Sequence, residues 1–213
     1  MKKFLLIIFL FSITTLMYSE DTHNISVGID FPLLSETVRS DGMTQSSTLT
    51  GWGISFSGYS FWNDMNVGLM SSGSIDFPQK VKDDLGNIAY TDMFDFNMML
   101  NLLFGAGFRS NPDKNIQFYG GAGIHFMSYN AFIDTYAYFY SLEAYNLGLG
   151  VDLNGKIDLS ESFYLLLGTS LFYDFFNTTK VSDGYHYVYG DYDSYIGLWF
   201  IPRLEIGFQY FRN

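Results

Sequence analysis

Residues Met93–Phe104, MFDFNMMLNLLF, constrain the fold more than any other stretch of this chain. Phe94, Phe96, Met98, Leu100, Leu102 and Phe104 share one parity, while Asp95, Asn97, Met99, Asn101 and Leu103 share the other. Successive side chains of an extended chain point to opposite faces, so one face here is wholly apolar and the other mostly polar. A helix would spread the same residues around its circumference. The pattern recurs along the chain and predicts eight strands: 23–33, 49–60, 65–73, 93–108, 116–128, 141–155, 163–175 and 194–211. Pro202 cannot donate to a sheet ladder, so a bulge is expected there.

Alternation alone fits a soluble barrel as well as a membrane one, with the faces exchanged. Three features separate them. The polar face is mainly Gly, Ser and Asn, whereas a solvated exterior carries many Lys and Glu. Glycines such as Gly121, Gly123, Gly148 and Gly150 suit a narrow interior and leave room there for Tyr119, His125 or Phe172. The connections alternate in length: 34–48, 74–92, 129–140 and 176–193 read as long loops, and 61–64, 109–115 and 156–162 as short turns. That asymmetry is the one expected of outer-membrane barrels. Aromatics also mark both ends of the apolar face: Phe31, Trp52, Phe94, Phe126, Tyr145 and Tyr173 near the long loops, and Phe104, Phe118, Phe163, Phe208 and Tyr210 near the short turns. Aliphatics such as Leu100, Ile124, Leu149 and Leu167 lie between the two belts, as a bilayer requires.

The N-terminus agrees with export. Lys2 and Lys3 precede an apolar run, Phe4–Leu16, of signal-peptide length, with the small Ser19 before Glu20. Residues 1–19 are therefore expected to be a cleavable signal peptide, and 20–213 the barrel domain. There is no Cys, which excludes a disulfide framework and a lipid-modified N-terminal cysteine. Aromatics make up 20% of the chain and charged residues only 15%, against about 25% in soluble domains. The net charge of −11 argues against nucleic acid or anionic headgroups as partners.

With this architecture the chain resembles the small eight-stranded outer-membrane protein families: the OmpA transmembrane domain, OmpX, OmpW and the opacity proteins. The resemblance covers the mature chain and is strongest at Leu204–Phe211, an alternating segment that ends in aromatics, although Arg212 and Asn213 follow. It implies an all-β, eight-stranded antiparallel up-and-down transmembrane barrel in the bacterial outer membrane. The partners it implies are outer-membrane lipid and the barrel insertion machinery. Small-solute or hydrophobic-compound conduction, as in OmpW-type barrels, is the alternative to a structural or recognition role. Lipid A modification is a remote one.

Two groups of candidate residues stand out. Asp30, Asp95, Asp152, Asp174, Arg203 and Glu205 fall on the lumen face, where they form either an acid-lined passage or a hydrogen-bonded plug. An eight-stranded barrel is just wide enough for side chains to fill, which favours the plug. Tyr136, Tyr138, Tyr185, Tyr187, Tyr189 and Tyr192 fall outside the membrane, where Tyr offers contact area at small entropic cost. They suit recognition of a host or envelope surface ligand, or extend a hairpin above the headgroups. Catalysis finds little support. His125 and Ser128 are three apart and so on opposite faces, and His186 lies in a loop with only Ser182 and Asp183 nearby. No metal site or cofactor is expected, because Asp183, Asp191 and Asp193 lack the spacing of a calcium loop.

Overall fold

The computed structural model describes residues 22–62, 65–90, 96–110, 116–135, 138–182, 186–190 and 193–211. Its strands are β1 (Thr22–Asp30), β2 (Leu33–Ser40), β3 (Met43–Phe61), β4 (Val67–Asp83), β5 (Ile88–Tyr90) and β6 (Phe96–Arg109). They continue with β7 (Ile116–Thr135), β8 (Tyr138–Asp158), β9 (Phe163–Ser182), β10 (Tyr187–Tyr189) and β11 (Ser194–Phe211). From β3 onward the long strands pair antiparallel in sequence order, through β4, β6, β7, β8 and β9 to β11. β11 then returns to β1 and β2, which also pair with β3 and so close the ring.

β1 and β2 form one wall position. Asp30 lies opposite Gly53 and Arg203, and Leu33 opposite Thr50 and Phe200, so the register passes unbroken through Phe31–Pro32. Pro32 has no N–H to give, but its carbonyl accepts from Gly51 N–H at 3.3 Å, and Phe31 N–H donates to the Pro202 carbonyl at 3.1 Å. The result is a closed eight-position up-and-down barrel.

The expected bulge at Pro202 is absent. Pro202 stands opposite Thr169 in continuous register, and alternation runs straight through it. Tyr195, Trp199, Ile201, Arg203 and Glu205 are buried, while Ile196, Leu198, Phe200, Leu204 and Ile206 are exposed. The missing N–H costs a single ladder bond, which the ring absorbs. Register shifts occur instead at Thr50/Gly51 opposite β4 and at Leu147/Gly148 opposite β9. The second leaves Phe175 unpaired on that side, so both Phe175 and Phe176 are exposed on the apolar exterior.

The long loops are mostly strand. β2 and the start of β3 occupy 34–48, joined at Asp41–Gly42, where φ is +52° and +77°. Two consecutive positive φ values are what a tight right-twisting hairpin needs, and Asp-Gly tolerates them. β4 runs on to Asp83 and is joined by β5, β7 and β8 reach Thr135 and Tyr138, and β10 folds back on β9. These extensions lie above the aromatic belt and carry polar residues on both faces, so the alternation fades there.

The turn after β4 is held by Asp83, which accepts from the Asn87 backbone N–H and side-chain amide, each at 2.7 Å. These bonds hold the Asp83 carboxyl below its usual range. A lowered pKa stabilises the turn above the unfolded carboxyl's titration, and that support disappears as pH falls through the folded value. Amide exchange at Gly86 and Asn87 should therefore accelerate as acid protonates Asp83. Asp83→Asn should abolish the acid dependence; exchange that stays pH-independent in the parent, after correction for intrinsic rates, would contradict this.

Burial is inverted relative to a soluble domain. Ile25, Val27, Ile124, Leu149, Leu167 and Ile206 face outward, whereas Asp30, Asp76, Asp152, Asp174 and Glu205 are fully enclosed. Phe31, Trp52 and Tyr173 form the upper belt, and Phe118, Phe163 and Phe208 the lower one. Phe163 and Phe208 meet edge to face with centroids 5.7 Å apart. Phe94 lies outside the described residues.

Candidate functional site

The lumen is filled from wall to wall. Toward the short-turn end, Tyr59, Phe61 and Tyr119 pack with centroids 5.3–6.1 Å apart, and the Arg109 guanidinium lies 4.7 Å from the Phe61 ring centre. Lys156 donates to Gln209 Oε1 at 2.6 Å, pairs with Asp158 at 2.6 Å and lies 5.0 Å from the Tyr164 ring centre. Gly207 makes this possible, since a Cβ there would run into the Tyr164 ring. Toward the long-strand end, Leu34, Leu49, Met99, Leu103, Met127, Phe172, Trp199 and Ile201 form an apolar stopper.

Two polar knots are set into this packing, with Phe172 and Trp199 against the second of them. The first is built on Arg203. Its guanidinium pairs with Asp152 and bonds Ser170 Oγ at 3.1 Å and Asn154 Oδ1 at 3.1 Å, with Glu205 Oε1 3.6 Å away. Tyr59 OH donates to Asp152, Asn154 Nδ2 donates to Tyr59 OH at 2.7 Å, and Ser26 Oγ donates to Glu205 Oε2 at 2.5 Å. The last bond ties β1 to β11 across the closing seam. A planar guanidinium with five donors can satisfy several buried acceptors at once, which a buried cation and its carboxylates need.

The second knot is built on Asp174. It is bonded by His125 Nδ1 at 2.6 Å, Trp199 Nε1 at 2.9 Å and Asn146 Nδ2 at 3.4 Å. The imidazole stacks on Phe172 at 3.8 Å, and its Nε2 lies 3.2 Å from Asn101 Oδ1. Asn101 Nδ2 in turn donates to Asp76. Ser128 is on the opposite parity, and among the described residues the His125 ring nitrogens bond only Asp174 and Asn101, so no hydroxyl nucleophile is presented to the ring.

The sequence-predicted lumen residues thus separate into groups. Asp152, Arg203 and Glu205 meet in one knot and Asp174 in the other; Asp30 stands opposite Arg203 in the register and meets Asp76 across Gly53, and Asp95 is outside the described residues. Of the anticipated pairings between glycine and bulky side chains, Gly150 accommodates Phe172, but Gly121 makes room for Met70 and Gly148 for Asp174. Asp76, Tyr59 and Lys156 are essential parts that sequence reasoning passed over. Asp76 was hidden because 74–92 reads as a loop, although Ile75 and Phe77 already flank it with outward apolar positions. Outside the membrane, Tyr187 and Tyr189 are exposed with rings 5.5 Å apart, and Lys180 Nζ is 5.3 Å from the Tyr187 ring centre. Tyr136, Tyr185 and Tyr192 lie outside the described residues, as does the side chain of Tyr138.

No protein-family model matches the chain, and no curated protein matches it. Solved structures do. The outer membrane protein OprG of Pseudomonas aeruginosa superposes with a TM-score of 0.61 at 14% identity, over 90% of this chain and 97% of that one. AlkL, solved in lipid bilayers, gives 0.52 at 12% identity over 91% and 92%. A major outer membrane protein of Thermus thermophilus gives 0.51 at 11% identity over 85% and 99%. At these identities the likeness establishes the fold. The chain has the fold of the small outer-membrane β-barrels.

Proposed function

We propose that this protein is a non-enzymatic component of the bacterial outer membrane. In this reading residues 1–19 direct its export and the insertion machinery assembles 20–213 into the bilayer. Its work is structural or is done by the strands above the membrane. The filled lumen carries the proposal: two polar knots packed among aromatic and apolar side chains stand where a channel would hold water. The part left free to meet a partner is the external sheet, where Tyr187, Tyr189 and Lys180 offer aromatic and cationic contacts to a host or envelope surface ligand.

Conductance of the refolded protein in planar bilayers tests this. The expected result is a silent bilayer from a barrel whose heat-shifted gel mobility shows it folded. Discrete cation-preferring steps would overturn the plug. Tyr187→Ser with Tyr189→Ser should lower binding to any surface the protein recognises, with folding unchanged.

A second reading, passage of apolar compounds, draws on a hollow of about 880 Å³ in the wall at β7, β8, β9 and β11, lined by Leu149, Val151, Leu171, Leu198 and Phe200 beside Trp199. Faster entry of a hydrocarbon into vesicles carrying the protein would favour it over the structural role.

A further inference from the structure

Beside the two polar knots, one further pair of acids meets in the lumen. Asp30, Gly53 and Asp76 stand side by side on β1, β3 and β4, paired in one row across three adjacent strands. Because the middle residue has no side chain, the two carboxyls meet above it; a Cβ on Gly53 would strike both Asp30 Oδ1 and Asp76 Oδ1. The two carboxyls hydrogen-bond each other directly, and both are fully buried. Asp76 Oδ2 receives Ser74 Oγ at 2.8 Å and the Asn101 amide. Apart from their mutual bond, Asp76 Oδ1 and both Asp30 oxygens receive no donor from any described residue.

Ionised carboxylates only accept, so a bond between two carboxyls needs a proton on one of them. No neighbouring charge removes that need. On β11, Arg203 stands opposite Asp30 in register, but its single charge is already set against Asp152 of β8 and Glu205. On β7, His125 reaches Asp76 only through Asn101 of β6, and its other ring nitrogen bonds Asp174 of β9. On β3, Tyr59 donates its hydroxyl proton to Asp152. Five buried acids, Asp30, Asp76, Asp152, Asp174 and Glu205, thus share Arg203 and His125 among the described residues of these layers. Asp30 also borders a void of about 10 Å³ with Ser55, Ser72 and Arg203, which is room for one water at most. Bulk water cannot screen a second charge there, and two touching carboxylates repel too strongly to be ionised together.

We propose that Asp30 and Asp76 form a binding site for one proton, held between the two carboxyls above Gly53 at neutral pH. The bond runs from β1 to β4 and passes over β3, so one proton fastens three adjacent strands from inside the lumen. It also makes the plug sensitive to alkali. Removing the proton turns a bond into a repulsion beside the Arg203 knot. In the unfolded chain both carboxyls ionise in the ordinary Asp range. Above that range the folded chain binds one proton more than the unfolded chain, so this contribution to stability falls as pH rises.

Infrared spectra of the full mature chain, refolded in vesicles at neutral pH, read the proton directly. A protonated carboxyl absorbs apart from carboxylates and shifts in heavy water. The parent should show such a band. Asp30→Asn and Asp76→Asn should each lose the intensity of one carboxyl, and the double variant no more than either, because one proton serves both acids. Loss in Asp30→Asn but not in Asp76→Asn would assign the proton to Asp30 alone and overturn the sharing. Unchanged intensity in both would place the band on another acid and overturn the site. Urea unfolding gives a second reading: from about pH 5 to about pH 8 the folding constant of the parent should fall, relative to that of Asp30→Asn, by up to about tenfold per pH unit. Groups common to both chains, Glu205, Asp152, Asp174 and His125 among them, cancel in that ratio; a flat ratio would overturn the proposal. A parent spectrum without any protonated carboxyl at neutral pH overturns it before a variant is made, so the test stands even if a variant fails to fold.

Discussion

Replacing Arg203 with methionine should destabilise the barrel by about 3–5 kcal/mol, the usual cost of leaving buried carboxylates without their cation. Asp152 and Glu205 would both be stranded, and Asn154 and Ser170 would lose their shared donor. The measurement is the urea midpoint of refolded protein in vesicles, read from tryptophan emission. Combining Arg203→Met with Asp152→Asn and Glu205→Gln should restore much of the loss, because the charges then disappear together. A single variant within about 1 kcal/mol of the parent would mean that the knot is hydrated and the plug incomplete.

The second large effect lies on the opposite face of the wall. Leu167 is exposed near the middle of the membrane-facing part of β9, opposite Leu204, between the two aromatic belts. Leu167→Arg should cost about 2–4 kcal/mol in a bilayer, where a cation at the midplane has no solvent. Val181→Arg makes the same kind of change on the same strand above the upper belt and should cost less than about 1 kcal/mol. In a soluble barrel both positions would meet water and both changes would be nearly neutral. Equal, small costs would therefore remove the membrane reading, however well the folds superpose.

What could be read from the residues follows from where the environment is asymmetric. Between the belts one face meets lipid and the other a packed lumen, so Leu204, Ile206 and Phe208 against Arg203, Glu205 and Gly207 display the strand directly. Beyond Leu34 the two faces of β2 differ little in burial, and Leu34–Ser40 looks like a loop although it is paired with β3 throughout and with β11 as far as Arg39. Lumen polarity was legible residue by residue; the partnerships were not. Nothing local says that Tyr59 bonds Asp152, a residue 93 positions away, or that Asp30 meets Asp76 across a glycine. Those contacts depend on register, and register is a property of the whole ring. Pro202 misled for the same reason: a proline breaks a strand by its own geometry, but here both neighbours hold its register.

The pairing of Thr22 with Phe211 places the first and last described strands side by side. A ring has no beginning, so chain order is a history of synthesis and not a requirement of the finished wall. Joining the two ends through a short linker and opening the chain at the exposed Ser160–Glu161 turn would leave every ladder in place. The Ser26–Glu205 contact, now made between residues 179 apart, would become a short-range one between neighbouring strands. Loop closure would then burden a different seam, and such a permutant would show whether this one is the last to form.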